Sequence, residues 1–195
     1  MDLVEAITTR RSTHSLRDPA PDDDQFAAML EIAAAAPDHG MLRPWRWILL
    51  RGPARAALGS CLTRSAPPDR RQAAVAKALR APLMAILVFK PRTHHKVIEW
   101  EQLAATSNLA YGMMLLLHAS GYGSIWRTGA LCANPDLPEF LGLASDERTL
   151  GSLDIGTPQA APAAPRPPLD IAGRISTMPH PRPPQHEEGN PLVQP

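Results

Sequence analysis

Apolar positions over residues 100–121, WEQLAATSNLAYGMMLLLHASG, recur at the helical period. Trp100, Leu103, Ala104, Ser107, Ala110, Tyr111, Met114, Leu117 and His118 fall at i, i+3, i+4 and i+7, while Leu109, Met113 and Leu116 occupy the opposite side. The spacing predicts a helix about 30 Å long. Its C-terminal half is apolar almost all round, which predicts burial on every side. The uninterrupted apolar run, 109–117, is about half of what a membrane span requires, so the pattern is that of a core helix. Gly121-Tyr122-Gly123 ends it, and the extended segment 124–129 that leaves it is expected to sit at the functional site.

The same patterning places the other elements. Asp2-Leu3-Val4-Glu5 has capping-box spacing and opens a helix that ends around residues 8–10. Three acids, Asp22, Asp23 and Asp24, open a second helix whose Phe26, Met29, Leu30 and Ala33 face inward and which Pro37 ends. Residues 45–51, WRWILLR, are rich in β formers, and 83–89, LMAILVF, form a continuous apolar run of strand length, covered on both faces. Helices are expected over 53–63 and 69–80. Further strands fall at 124–128 and 149–155, and a short helix at 135–141 with Asn134 as its cap. Residues 18–21 read as extended linker, 37–44 and 91–96 as loops, and Gly156-Thr157-Pro158 as a turn out of the last strand. Strands alternating with helical stretches predict an α/β or α+β sandwich around one sheet.

Composition narrows the range. One chain of 195 residues fits one domain, but half of its 22 prolines follow Thr157. The reading is therefore a globular domain over 1–160 and a proline-rich, extended or disordered tail over 161–195. A net charge of +1 with interspersed signs offers no polybasic surface for nucleic acid or anionic lipid. The first residues lack the basic and apolar pattern of a signal peptide, and the two cysteines, Cys61 and Cys132, suit a reducing compartment. The expectation is a cytoplasmic protein that binds neither nucleic acid nor membrane.

Three clusters could carry chemistry. Arg10, Arg11 and Ser12 offer two guanidiniums and a hydroxyl that match phosphate oxygens, although a basic helix end facing solvent is the plainer reading of the triplet alone. His39, after the helix-ending proline, could contact a ligand or cap a helix. Trp126, Arg127 and Thr128 place an aromatic, a cation and a hydroxyl at a strand end, where ligands of sheet proteins often sit, and an arginine meeting solvent is the plainer alternative. No GxGxxG, P-loop or GxSxG pattern is present, and the histidines, His118 on its apolar face among them, lack metal-ligand spacing.

Taken in order, the helix ending in RRS, the loop AAAAPDHGMLRPWRW, the segment HHKVIEWEQ, the long apolar helix, GYGSIWRTGAL and LDIGTPQ resemble the FMN-dependent nitroreductase family, and within it the short, single-domain NAD(P)H nitroreductases. The likeness covers about residues 1–160. It implies an α+β three-layer sandwich with a central, mostly antiparallel sheet flanked by helices, and a homodimer with about one non-covalent FMN per subunit at the interface. By this resemblance Arg10, Arg11 and Ser12 meet the FMN phosphate and ribityl chain, and His39 contacts the flavin bound mainly by the partner. Trp126, Arg127 and Thr128 match the family's WRS segment, with threonine in place of serine. Leu116, Leu117, His118, Ala119, Ser120 and Gly121 match the stretch associated with NAD(P). The chain departs from its relatives at Ala35, where they carry an arginine, and after Pro158, where no basic residue follows until Arg166; Arg43 lies near the same loop. The implied activity is transfer of hydride from NAD(P)H through FMN to a nitroaromatic, quinone or related acceptor by a ping-pong mechanism. A flavin-binding carrier or interaction protein without turnover is the alternative.

Overall fold

A computed structural model describes residues 1–159 and 166–178. The elements in order are α1 (Leu3–Thr9), β1 (Leu16–Arg17), α2 (Asp23–Ala33), β2 (Trp45–Arg51), α3 (Gly52–Arg64), α4 (Arg71–Leu79), β3 (Leu83–Phe89), α5 (Glu99–Ala119), β4 (Gly123–Arg127), α6 (Gly129–Cys132), α7 (Leu137–Leu141) and β5 (Arg148–Pro158). The chain divides into two compact units, Met1–Ala164 and Pro165–Pro195. In the second, a turn at residues 171–174 is closed by Arg174 N–H donating to Ile171 O at 3.0 Å. The rest of the predicted tail, 161–165 and 179–195, lies outside the described residues.

Five strands make one sheet in the order β1-β5-β3-β2, with β4 also pairing with β5, and every strand pair is antiparallel. That decides between the two sandwich classes in favour of α+β. Side chains alternate across a strand, so β3 feeds two cores. Leu83 and Ala85 pack with Phe26, Leu109, Met113 and Leu117 under α2 and α5. Met84, Ile86 and Val88 pack with Leu58, Ala78 and Leu137 under α3, α4 and α7. All seven residues of β3 are buried, as its unbroken apolar run predicts. Burying each of Leu109, Met113 and Leu117 contributes about 1.5–3 kcal/mol.

The helix ends follow their caps. Asp2 accepts from Glu5 N–H at 2.8 Å, and Asp22 and Gln25 form a reciprocal capping box. Asn134 does not cap α7. Its Oδ1 accepts from Asp136 N–H at 2.9 Å, and Asp136 holds the N-cap position instead. Gly156-Thr157-Pro158 is not a turn either: β5 runs through to Pro158 because Leu16 and Arg17, in the segment between the RRS triplet and the expected linker, pair with Pro158 and Thr157. Proline can end a strand that needs no further donor from it.

The prediction that α5 is buried on every side does not hold within one chain. Ala105, Leu109, Ala110, Met113 and Leu117 face the sheet, whereas Trp100, Leu103 and Tyr111 are 65%, 38% and 43% exposed on the other side. Both faces carry apolar residues, so periodicity alone could not say which one meets the sheet.

Candidate functional site

α1 delivers the RRS triplet to the edge of the sheet. Thr13 N–H donates to Ser124 O at 3.1 Å, and Ser12 forms a parallel bridge with Ser124 at the start of β4. Arg10 is the C-cap of α1, and Arg11 Nη1 donates to Thr8 O at 2.7 Å and to Arg10 O at 3.0 Å, which complements the negative end of that helix. Ser12 is exposed. The C-terminal end of α5 closes on the same place. Thr9 Oγ1 donates to Glu5 O at 2.6 Å and lies 2.8 Å from His118 Nε2. A hydroxyl has one proton to give, so His118 donates there as the Nε2–H tautomer. Burial holds its pKa below the ordinary value, and the charges of Arg10 and Arg11 push it down further.

Two to four residues beyond Ser124, Trp126 and Arg127 at the end of β4 and Thr128 after it border a cavity of about 530 Å³ between the α3–α4 pair and the β4–α6 turn. The first two are placed by β5. Trp126 Nε1 donates to Leu150 O at 3.0 Å, and Arg127 Nε donates to Asp154 Oδ2 at 2.7 Å. Thr128 is the N-cap of α6 yet makes no side-chain cap bond, so its hydroxyl is not used by the helix. Asp154 is fully buried; Arg80 Nε lies 3.3 Å from the same oxygen, and Ser152 Oγ lies 3.4 Å from the other. Burial pushes the Asp154 carboxyl up, while the two guanidiniums pull it back towards the charged form. Burial likewise lowers the Arg80 pKa, and Asp154 opposes that. Neither Arg80 nor Asp154 stands out in the sequence, because only the pairing of β4 with β5 brings residue 154 beside residue 127.

Gly151 makes this junction possible. It adopts φ +118°, and a Cβ there would lie 2.3 Å from Arg127 O and 2.8 Å from Trp126 Nε1. The register of β5 slips at this point against Leu87 and Val88 of β3, so a bulge in β5 sits beside the exit of β4.

His39 stands elsewhere. Its loop is tied by Asp38, whose carboxylate accepts from Leu42 N–H at 3.2 Å and Arg43 N–H at 2.7 Å. Buried Gln102 anchors the neighbouring loop, accepting from Arg92 N–H and donating to Arg92 O, both at 2.8 Å. His39 Nδ1 lies 2.7 Å from Glu101 Oε2 in the first turn of α5. From Glu101 to His118 the helix rises about 25 Å, so one chain does not bring His39 and Arg10–Ser12 together. Ala35 is exposed in the turn after α2, and Arg43 is exposed on the His39 loop. Of the stretch expected to meet NAD(P), Leu117 is buried in the core, Leu116 and His118 are half-buried, and Ala119, Ser120 and Gly121 are exposed. Among the described residues no group of His, Cys, Asp and Glu could hold a metal ion, and no helix is long and apolar enough to cross a membrane.

The sequence profile of the Nitroreductase family matches residues 7–157. A protein of Escherichia coli strain K12 named "Putative NAD(P)H nitroreductase YdjA" is 34% identical over 164 residues, covering 82% of this chain and 90% of that protein. A Haemophilus influenzae protein named "Putative NAD(P)H nitroreductase" is 31% identical over 163 residues, covering 80% and 89%. The crystal structure of a nitroreductase-like family protein from Bacillus cereus superposes with a TM-score of 0.79 at 26% identity, covering 91% of this chain and 96% of that one. The FMN- and NADPH-dependent nitroreductase NfnB from a Sphigopyxis strain, HMH, superposes with a TM-score of 0.70 at 21% identity, which speaks for the fold, over 91% and 99%.

Proposed function

This chain belongs to the Nitroreductase family, and on that footing we propose that it is an FMN-dependent oxidoreductase that works as a cytoplasmic homodimer, with residues 1–160 as the flavin-binding domain. The observation that carries the reading is the placement of the candidate residues at opposite ends of α5. Arg10–Ser12 adjoin its C-terminal end through Thr9 and His118, and His39 adjoins its N-terminal end through Glu101. Along the helix runs an exposed face bearing Trp100 at its N-terminal end, then Leu103 and Tyr111. Two copies related by a two-fold axis, with their α5 helices antiparallel, bury that face and bring the His39 of one beside the Arg10 of the other.

The residues present fit the group. Two guanidiniums and the Ser12 hydroxyl suit a phosphate and a ribityl chain. The cavity edge at Trp126, Arg127 and Thr128, with an indole, a guanidinium fixed by Asp154 and a hydroxyl left over from the α6 cap, suits a planar polar ring. His39 would reach the flavin held mainly by the partner, and the 116–121 stretch would meet NAD(P)H. A bound FMN would supply the redox chemistry, hydride transfer from NAD(P)H to an electron-poor acceptor such as a nitroaromatic or a quinone in ping-pong order. The protein's part is positioning, exclusion of water and fixed cationic donors. No side chain at the site is required as acid or base.

The test is the absorption spectrum of the purified protein. A flavin spectrum bleached anaerobically by NADH or NADPH and restored by acceptor is expected. A colourless protein that binds no added FMN contradicts the reading.

A further inference from the structure

The cavity bordered by Trp126–Thr128 has a second wall that the flavin reading does not use. Arg70, at the N-cap of α4, and Ala74 and Lys77 within it follow one another at i, i+4 and i+7, and all three line the cavity. Arg80 and Arg127 form its floor. Four cations therefore line it, and none of its lining residues is an Asp or Glu.

The nearby carboxylates do not cancel this charge. Asp154, fully buried behind the floor, is shared by Arg80 and Arg127, so that group keeps one net positive charge. Arg70 lies 3.5 Å from Asp69 with both side chains 76% exposed, so the pair is weak and Arg70 can exchange it for a ligand carboxylate at little cost. Lys77 has no ion pair among the described residues. The remaining lining is largely apolar, with Leu62, Met84, Trp126 and Leu131 around a space small enough to enclose one small molecule. Ala74, between the two wall cations, leaves room for a flat body. A cleft of one charge sign with low-dielectric walls concentrates the opposite charge.

We infer that this cavity is a subsite for an organic anion: a planar conjugated molecule whose carboxylate or sulfonate pairs with Arg70 and Lys77 while its ring lies against the apolar wall. The inference rests on the oxidoreductase reading in one respect, since it makes that anion the electron acceptor. Neutral acceptors would then be the poorer substrates.

The experiment titrates the flavin-loaded protein by calorimetry with 4-nitrobenzoate and with neutral 4-nitrobenzamide at low salt, then measures kcat/KM for each at fixed NADPH. The expected result is at least tenfold tighter binding of the carboxylate, a matching preference in kcat/KM, and loss of most of both preferences in an Arg70→Ala, Lys77→Ala double variant. Lys77→Glu should favour the amide. Equal affinity for the two compounds, or a preference that survives the double variant, overturns the subsite. A Lys77→Ala effect confined to the KM for NADPH overturns it too, because the cation would then serve the nicotinamide nucleotide. Selective binding without reduction of either compound overturns the oxidoreductase reading and leaves the anion subsite standing; reduction without charge preference does the reverse.

Discussion

Arg127 Nε and Asp154 Oδ2 lie 2.7 Å apart, joining the end of β4 to a fully buried carboxylate on β5. Arg80 completes the group from beyond α4, so one anion orients two cations beneath the cavity. Removing one member of a buried charge group leaves the others uncompensated, at a cost of about 3–5 kcal/mol. Asp154→Asn keeps the shape and removes the charge. Its denaturant midpoint should fall accordingly, and FMN affinity should fall with it as Arg127 loses its anchor. An unchanged midpoint and affinity would show that the group neither stabilises the fold nor positions Arg127.

Arg10→Ala tests the phosphate assignment. A charge-assisted contact contributes about 1.5–3 kcal/mol, roughly ten- to a hundredfold in affinity. The dissociation constant for FMN, followed by quenching of flavin fluorescence, should rise by that factor. An unchanged constant removes Arg10 from the site.

Gly151→Ala places a methyl group where Arg127 O already stands, at a φ that L residues rarely adopt. The β4–β5 junction must shift, and the substitution should destabilise the fold by about 3 kcal/mol or more, read as a drop in Tm. Gly129→Ala, with nothing within 4 Å of its new methyl, is the control and should leave Tm nearly unchanged.

Acid should weaken the fold in two stages. Arg46 binds Glu147 through two hydrogen bonds of 2.8 and 2.7 Å and, with Ala144 N–H and Lys90 adding to it, lowers the Glu147 carboxyl from 4.5 to about 2. A depressed carboxylate stabilises above its unfolded value, so this contribution is complete above pH 4.5 and disappears as the pH falls towards 2. His118, whose pKa is held below 6.5, adds an earlier loss that begins as the pH drops through that value, because only the unfolded chain takes up the proton there. Denaturant midpoints measured from pH 7 to pH 3 should show both losses, and Glu147→Gln should abolish the lower one.

Much of the architecture is legible in local pattern. The unbroken run 83–89, the acids at 22–24 and the helical period over 100–121 each report a local cause, and the structure places β3, α2 and α5 there. What escapes is whatever depends on pairing across the chain. β1 is two residues long and exists only because Thr157 and Pro158 are available to it. Asp154 reads as an ordinary polar residue in a strand until β4 lies beside it. The exposed face of α5 reads as core because it is apolar, and a single chain does not cover it. The RRS triplet, His39 and the WRT segment are all visible as residues, but their division between the two ends of α5 is a property of the fold alone.

Sharing of one flavin by two subunits is most directly tested by co-expressing Arg10→Ala and His39→Ala chains under separate affinity tags and purifying the mixed dimer. If Arg10 of one subunit and His39 of the other serve the same site, the mixed dimer has one intact and one doubly damaged site and should bind one FMN with parental affinity, although each variant homodimer binds weakly. Two equally weakened sites in the mixed dimer would contradict the account, because Arg10 and His39 would then act within a single chain.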